Sequence, residues 1–151
     1  MNRVVITGLG VISCLGNDRS EVLSSLRASK SGLSMNQDYV DNGMRCHVSG
    51  QVNPDLTTIN RKMLRFMSET SAYAFLSTKE AIEDSGLSAE QISNSDVGVI
   101  VGSGTGSSRE LKNVVDTARE KGIKRVGPYA VTRTMGNTTS AAISTFFQTK
   151  G

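Results

Sequence analysis

Apolar and polar positions succeed one another in periods that predict strands and helices by turns. Arg3-Val4-Val5-Ile6-Thr7 is a β-branched run ended by Gly8-Leu9-Gly10, the pattern of a buried strand entering a tight turn. Asp18 with Glu21 three residues on is a capping-box signature. Val22, Leu23 and Leu26 then supply an apolar stripe for a helix expected to stop at Gly32. Residues 33–43 read as loop, and 44–52 as an extended segment closed by Asn53-Pro54. A long helix is expected from Asn60 to about Ser85. No charge falls between Glu69 and Lys79, so its middle is apolar around most of its circumference, as in a helix enclosed by other layers. Ser88 and Gln91 signal a further short helical turn. Asp96–Val101 is the clearest strand and runs into the glycine loop 102–108. Ser107 and Glu110 form another capping-box pattern, Leu111, Val114, Val115 and Ala118 recur at helical spacing, and Gly122 is placed to end that helix. Thr138 to Phe147 reads as a small-residue helix packed closely against a neighbour.

Strands followed by glycine turns and helices predict an α/β layered fold. A parallel sheet needs helices on both faces and more strands than these, so the chain reads as part of a larger domain, stopping where another strand is expected. Its 151 residues are the size of one domain, and 37% hydrophobic against 21% charged residues excludes a disordered tract. No apolar run approaches the ~20 residues of a membrane-spanning helix, which predicts a soluble, unexported, cytoplasmic protein with no membrane role.

Seventeen basic residues against 14 acidic give a net charge of +3, too small to argue for nucleic-acid binding. The distribution says more. Arg61, Lys62 and Arg65 share neighbouring parts of one helical surface, and after Glu120 the cations Lys121, Lys124, Arg125, Arg133 and Lys150 stand without an acid in the sequence. Two positive patches follow, suited to an acidic partner or to solvent.

Catalytic candidates are few. Cys14 and Cys46 lack CxxC spacing, and His47 is the single histidine, which argues against a zinc site and against any nucleophile–histidine device. The cysteines could form a disulfide, but two solitary thiols in a reducing compartment are more often small buried hydrophobes. His47 sits in an alternating segment and reads as structural. Tyr73 and Phe75, on the enclosed helix, read as core before ligand pocket. Gly102-x-Gly104 between a strand and a helix invites a dinucleotide reading, yet Ser107 holds the third fingerprint position and the chain beyond is basic where an acid should hold a ribose. The glycines serve either a close backbone approach or a ligand.

Taken together in order, Arg3–Gly10, Gly16-Asn17, Ser31-Gly32-Leu33, Arg61–Met67, Val99–Gly104 and Val126-Gly127-Pro128-Tyr129 resemble the β-ketoacyl-acyl carrier protein synthases, over essentially the whole chain. Asn42-Gly43-Met44-Arg45, the Arg61–Met67 run and Gly127-Pro128-Tyr129 are most similar to the type I branch of bacterial fatty acid synthesis. The resemblance implies the N-terminal half of a thiolase-like fold with α-β-α-β-α layers, working as a homodimer without a cofactor. It implies elongation of an acyl chain by decarboxylative condensation with malonyl-acyl carrier protein. In that family the nucleophilic cysteine, two histidines and a lysine belong beyond Gly151, so the chain alone should be catalytically incompetent, and Cys14, Cys46 and His47 inherit none of those roles.

The resemblance also implies site residues. Arg61, Lys62 and Arg65 match a helix start that meets the acidic carrier protein with its phosphopantetheine-linked acyl or malonyl group, and Lys121 and Lys124 match a second stretch with that role. Thr105 matches a position beside the acyl pocket, and Met135 one at the dimer interface near it. Two other classes stay open at this point: a non-catalytic carrier-protein-binding module, and a nucleotide-binding half domain built on the glycine loop.

Overall fold

The computed structural model describes residues 3–151. Its helices are α1 (Arg19–Arg27), α2 (Gln37–Asp41), α3 (Arg61–Leu64), α4 (Glu69–Ser85), α5 (Ala89–Ile92), α6 (Ser108–Lys121), α7 (Ala130–Thr134) and α8 (Thr138–Phe147). Two short strands, β1 (Leu33–Met35) and β2 (Val48–Gly50), pair antiparallel with Ser34 opposite Ser49. The described residues divide into two compact units, one of residues 3–55 and 76–86, the other of residues 56–75 and 87–151, with the boundary inside α4.

In the first unit, Asp18 caps α1 by accepting from the Glu21 amide at 2.8 Å, and the Glu21 carboxylate reaches back to the Asn17 amide at 2.8 Å. The helix stops at Ala28, ahead of the expected Gly32, because Ser29 takes a left-handed conformation with φ 51°. Segment 8–19 is held on the second half of α4 by two carboxylates. Glu80 accepts from the amides of Val11 (2.9 Å) and Arg19 (2.7 Å), while Asp84 accepts from the Leu9 amide at 3.0 Å and pairs with the Arg19 guanidinium. Contact is close enough that a Cβ at Gly8 would overlap the Ala81 carbonyl oxygen, and one at Gly10 that of Ser77. Glycine is required there for approach.

The second unit holds the apolar core: Ile59, Met67, Ala72, Phe75, Ile92 and Ile143 are buried. Phe75 stacks on Phe147 at 5.5 Å and meets Phe146 edge-on at 4.7 Å, which packs the first half of α4 against α8. Buried hydroxyls reinforce that contact, with Ser71 2.9 Å from Thr139 and 3.1 Å from Ser68. Phe75 is therefore core, as expected, and Tyr73 is half-buried.

The structure corrects several expectations. The helix from Asn60 to Ser85 is two helices, since the Ser68 hydroxyl caps a new N-terminus by accepting from the Ser71 amide at 3.2 Å. Residues 33–43 contain β1 and α2 where loop was expected, and the extended segment 44–52 pairs only over Val48–Gly50. The runs 3–7 and 96–101 have no ladder partner among the described residues; Val4 is 93% and Ile6 82% exposed. A strand is a relation between two segments, and β-branched composition supplies only one of them. The main chain at 150–151 lies beside 94–97, donating from Lys150 to Asn94 (3.3 Å) and from Gly151 to Val97 (3.1 Å). α6 ends at Gly122, φ 84°, and α8 spans Thr138–Phe147, both as the sequence predicts.

Candidate functional site

α3 starts where the Asn60 carboxamide oxygen accepts from the Lys62 amide at 2.8 Å. Met63 and Leu64 face inward, leaving Arg61, Lys62 and Arg65 exposed. Phe66 then meets Tyr129 edge-on at 4.9 Å, so the basic turn is fixed to the Gly127-Pro128-Tyr129 segment. The second basic group is carried on the end of α6. Lys121 is its last residue, Gly122 turns the chain, and Lys124 and Arg125 lie exposed in the following short turn. None of these six cations forms an ion pair among the described residues, whereas Lys112 on the same α6 is paired with Asp116 at 2.6 Å. Their field is therefore not neutralised locally and projects outward.

Beside α3 lies an apolar groove of about 460 Å³, with Lys62, Met63 and Phe66 along one wall and Met135, Ala141 and Ala142 along the other. Met135 lines this groove and is half-exposed; Thr105 does not line it and sits exposed on the bend of the glycine loop. The loop nevertheless approaches Met135 through Gly106, where a Cβ would lie 3.6 Å from the Thr134 carbonyl oxygen and 3.7 Å from the Gly136 Cα.

The glycine loop is not arranged as an anion cradle. The Gly106 amide donates to the Ser103 hydroxyl at 3.1 Å, the Ser107 hydroxyl accepts from the Glu110 amide at 3.4 Å, and the Glu110 carboxylate occupies the first turn of α6. Open space surrounds the Cβ positions of Gly102 and Gly104 among the described residues, so close approach does not explain those two glycines. The Ser107–Glu110 capping box is only half made: the Glu110 side chain turns instead to Arg133, 2.8 Å away. This corrects the reading of Arg133 as uncompensated. Its Nε also donates to the Met67 carbonyl at 3.3 Å. Sequence reasoning missed this link because its partners are 23 and 66 residues away.

Cys14 and Cys46 are free, so the optional disulfide is not formed. Cys14 is half-buried against Gly32 and Gly50, but Cys46 is exposed, with its thiol 3.6 Å from the Val48 carbonyl, which corrects the buried-hydrophobe reading for that residue. His47 is exposed at the entry to β2 and contributes its carbonyl to the Asn36 amide at 2.8 Å. Burial, with help from Glu69, raises the Tyr73 phenol above its ordinary range and keeps it neutral. Among the described residues no cluster of His, Cys, Asp and Glu could hold a metal ion, and no helix is long and apolar enough to cross a membrane.

Residues 1–151 match the family model for the N-terminal domain of beta-ketoacyl synthases. The chain belongs to the β-ketoacyl synthase family. Among its relatives are proteins named 3-oxoacyl-acyl-carrier-protein synthase 1, from Haemophilus influenzae at 46% identity and from Escherichia coli at 49%, each aligned over the whole chain. The chain spans 38% of the length of these curated relatives. A solved beta-ketoacyl synthase from Burkholderia phymatum superposes with a TM-score of 0.81 at 28% identity, covering all of this chain and 38% of that one. A type II polyketide ketosynthase, solved in complex with its acyl-carrier protein, superposes over 99% of this chain and 40% of its own with a TM-score of 0.76 at 23% identity. The fold is thus the N-terminal part of the thiolase-like α/β fold of ketosynthases, as the resemblance implied. Among the described residues, β1 and β2 form a two-stranded antiparallel sheet.

Proposed function

We propose that the chain is the N-terminal part of a 3-oxoacyl-acyl carrier protein synthase that elongates fatty acids in the cytoplasm as a homodimer. The observation that carries this reading is 46–49% identity, over every residue of the chain, to synthases of that name. In the condensation an acyl group passes from the phosphopantetheine thiol of a carrier protein to an enzyme cysteine. Malonyl-carrier protein then loses carbon dioxide, and the C2 carbanion attacks the acyl thioester, releasing the cysteine thiolate and leaving a 3-oxoacyl chain on the carrier. Among the described residues neither Cys14 nor Cys46 is hydrogen-bonded to a basic side chain, and we assign the reactive sulfur to the part of the family that this chain does not span.

The residues at hand recognise and position. Arg61, Lys62, Arg65, Lys121 and Lys124 form the docking surface for the acidic carrier protein; their exposure and their lack of ion pairs among the described residues support this, because complementary charge speeds and orients encounter. A carrier protein seated on a related ketosynthase fold supports the same partner. Met135, on the apolar groove, and Thr105, on the adjoining loop, border the acyl chain near the contact with a second subunit.

The test is a condensation assay on the full-length gene product. With acyl- and malonyl-carrier protein it should release carbon dioxide and form a carbon–carbon bond, while the 151-residue chain alone should do neither. A full-length protein that binds both carrier thioesters without condensing them would instead mark a binding module, and turnover by the short chain would refute its incompetence.

A further inference from the structure

We infer that Arg133 is a positioning residue that fixes the direction in which the basic α3 leaves α4, and thereby sets the affinity of the docking surface for an acidic carrier protein. The inference rests on the docking role proposed above. It begins with the break between the two helices. α4 is capped by Ser68, whose hydroxyl accepts from Ser71 and whose carbonyl accepts from the Ala72 amide at 2.9 Å. The Met67 carbonyl stands one residue ahead of that cap, outside the helical ladder, on a residue only 3% exposed. A buried carbonyl in that place requires a donor from elsewhere in the chain.

Arg133 supplies it through Nε while Nη2 holds Glu110 at 2.8 Å. The Glu110 side chain is 11% exposed, so its carboxylate is itself committed to a cationic partner. The guanidinium is therefore anchored on α6 and reaches the α3–α4 junction with its other edge, two residues beyond Arg65. A planar guanidinium can serve two acceptors in fixed directions, whereas an ammonium on a flexible stem holds one well. One side chain thus ties the element bearing Arg61, Lys62 and Arg65 to the helix that ends in Lys121, and keeps the two basic groups in register without contacting the carrier itself.

The experiment compares full-length wild type with Arg133→Lys, Arg133→Met and Lys62→Glu/Arg65→Glu, measuring kcat and KM for the carrier-borne acyl substrate and for the same acyl group on coenzyme A. Arg133→Met should raise KM for the carrier-borne substrate about tenfold and Arg133→Lys about threefold, with kcat and the coenzyme A KM held near wild type. Arg133→Lys keeps the charge beside Glu110, so it carries the test if the Met variant does not fold. A carrier KM unchanged in the Lys variant, or an equal loss with both acyl donors, overturns the inference. Lys62→Glu/Arg65→Glu separates the two levels of the argument. A normal carrier KM in that variant removes the docking reading and the inference with it, whereas a raised one alongside a silent Arg133→Lys removes the inference alone.

Discussion

The two units of the chain differ in what their carboxylates hold. In the first, carboxylates face inward onto main-chain donors: Glu80 takes the amides of Val11 and Arg19, and Asp84 takes that of Leu9 together with the Arg19 guanidinium. In the second, aromatic stacking, a chain of hydroxyls and the Glu110–Arg133 pair hold the interior, and the cations of 61–65 and 121–125 are exposed, with no ion pair among the described residues. The carboxylates of the first unit fasten main chain, whereas Glu69, Glu110 and Asp116 of the second each fasten a side-chain cation.

If that contrast is right, disturbing the seam of the first unit should be costly to folding. Gly10→Ala places a Cβ into the Ser77 carbonyl, and should lower unfolding free energy by about 3 kcal/mol, read as a fall in the denaturant midpoint of the full-length protein. An unchanged midpoint would mean that the seam is not as close as described. Next in size, Ser68→Ala removes the cap of α4 and should cost about 1 kcal/mol in the same measurement.

A smaller effect is expected from acid. The hydrogen bond from Arg19, and then that from the Leu9 amide, hold the Asp84 carboxyl below the usual carboxylate range. Because the folded value lies below the unfolded one, the stabilisation is complete above the ordinary carboxylate pKa and disappears as pH falls through the depressed value. Asp84→Asn should flatten that part of the pH–stability profile; a profile identical to wild type would show that the exposed pair does not contribute. Smallest of all, Lys121→Gln with Lys124→Gln should leave thermal stability unchanged, while weakening carrier binding. Destabilisation there would erase the distinction between the units.

Much of this organisation is legible in the residues. The Asp18, Ser88 and Ser107 caps, the stop at Gly122 and the bounds of α8 follow from local chemistry. The exposure of Arg61, Lys62 and Arg65 follows from their spacing against Met63, Leu64 and Met67. Ser68 was hidden by the apolar pattern on both sides of it, although a serine followed by an acid in the first turn, here Glu69, is a usable N-terminal signal. The runs 3–7 and 96–101 have strand composition, but pairing depends on a second segment that composition does not reveal. Glu110 and Arg133 were misread for a related reason: a serine three residues before a glutamate predicts a local cap, and nothing local shows that a distant guanidinium takes the carboxylate instead.

The central claim is that the unpaired cations of the second unit receive an acidic carrier protein, and salt tests it most directly. The dissociation constant of the full-length protein for its acyl carrier protein, titrated over rising ionic strength, should weaken steeply for wild type, and Lys62→Glu/Arg65→Glu should bind more weakly with a shallower slope. Equal affinity and equal slope for the two proteins would contradict the claim.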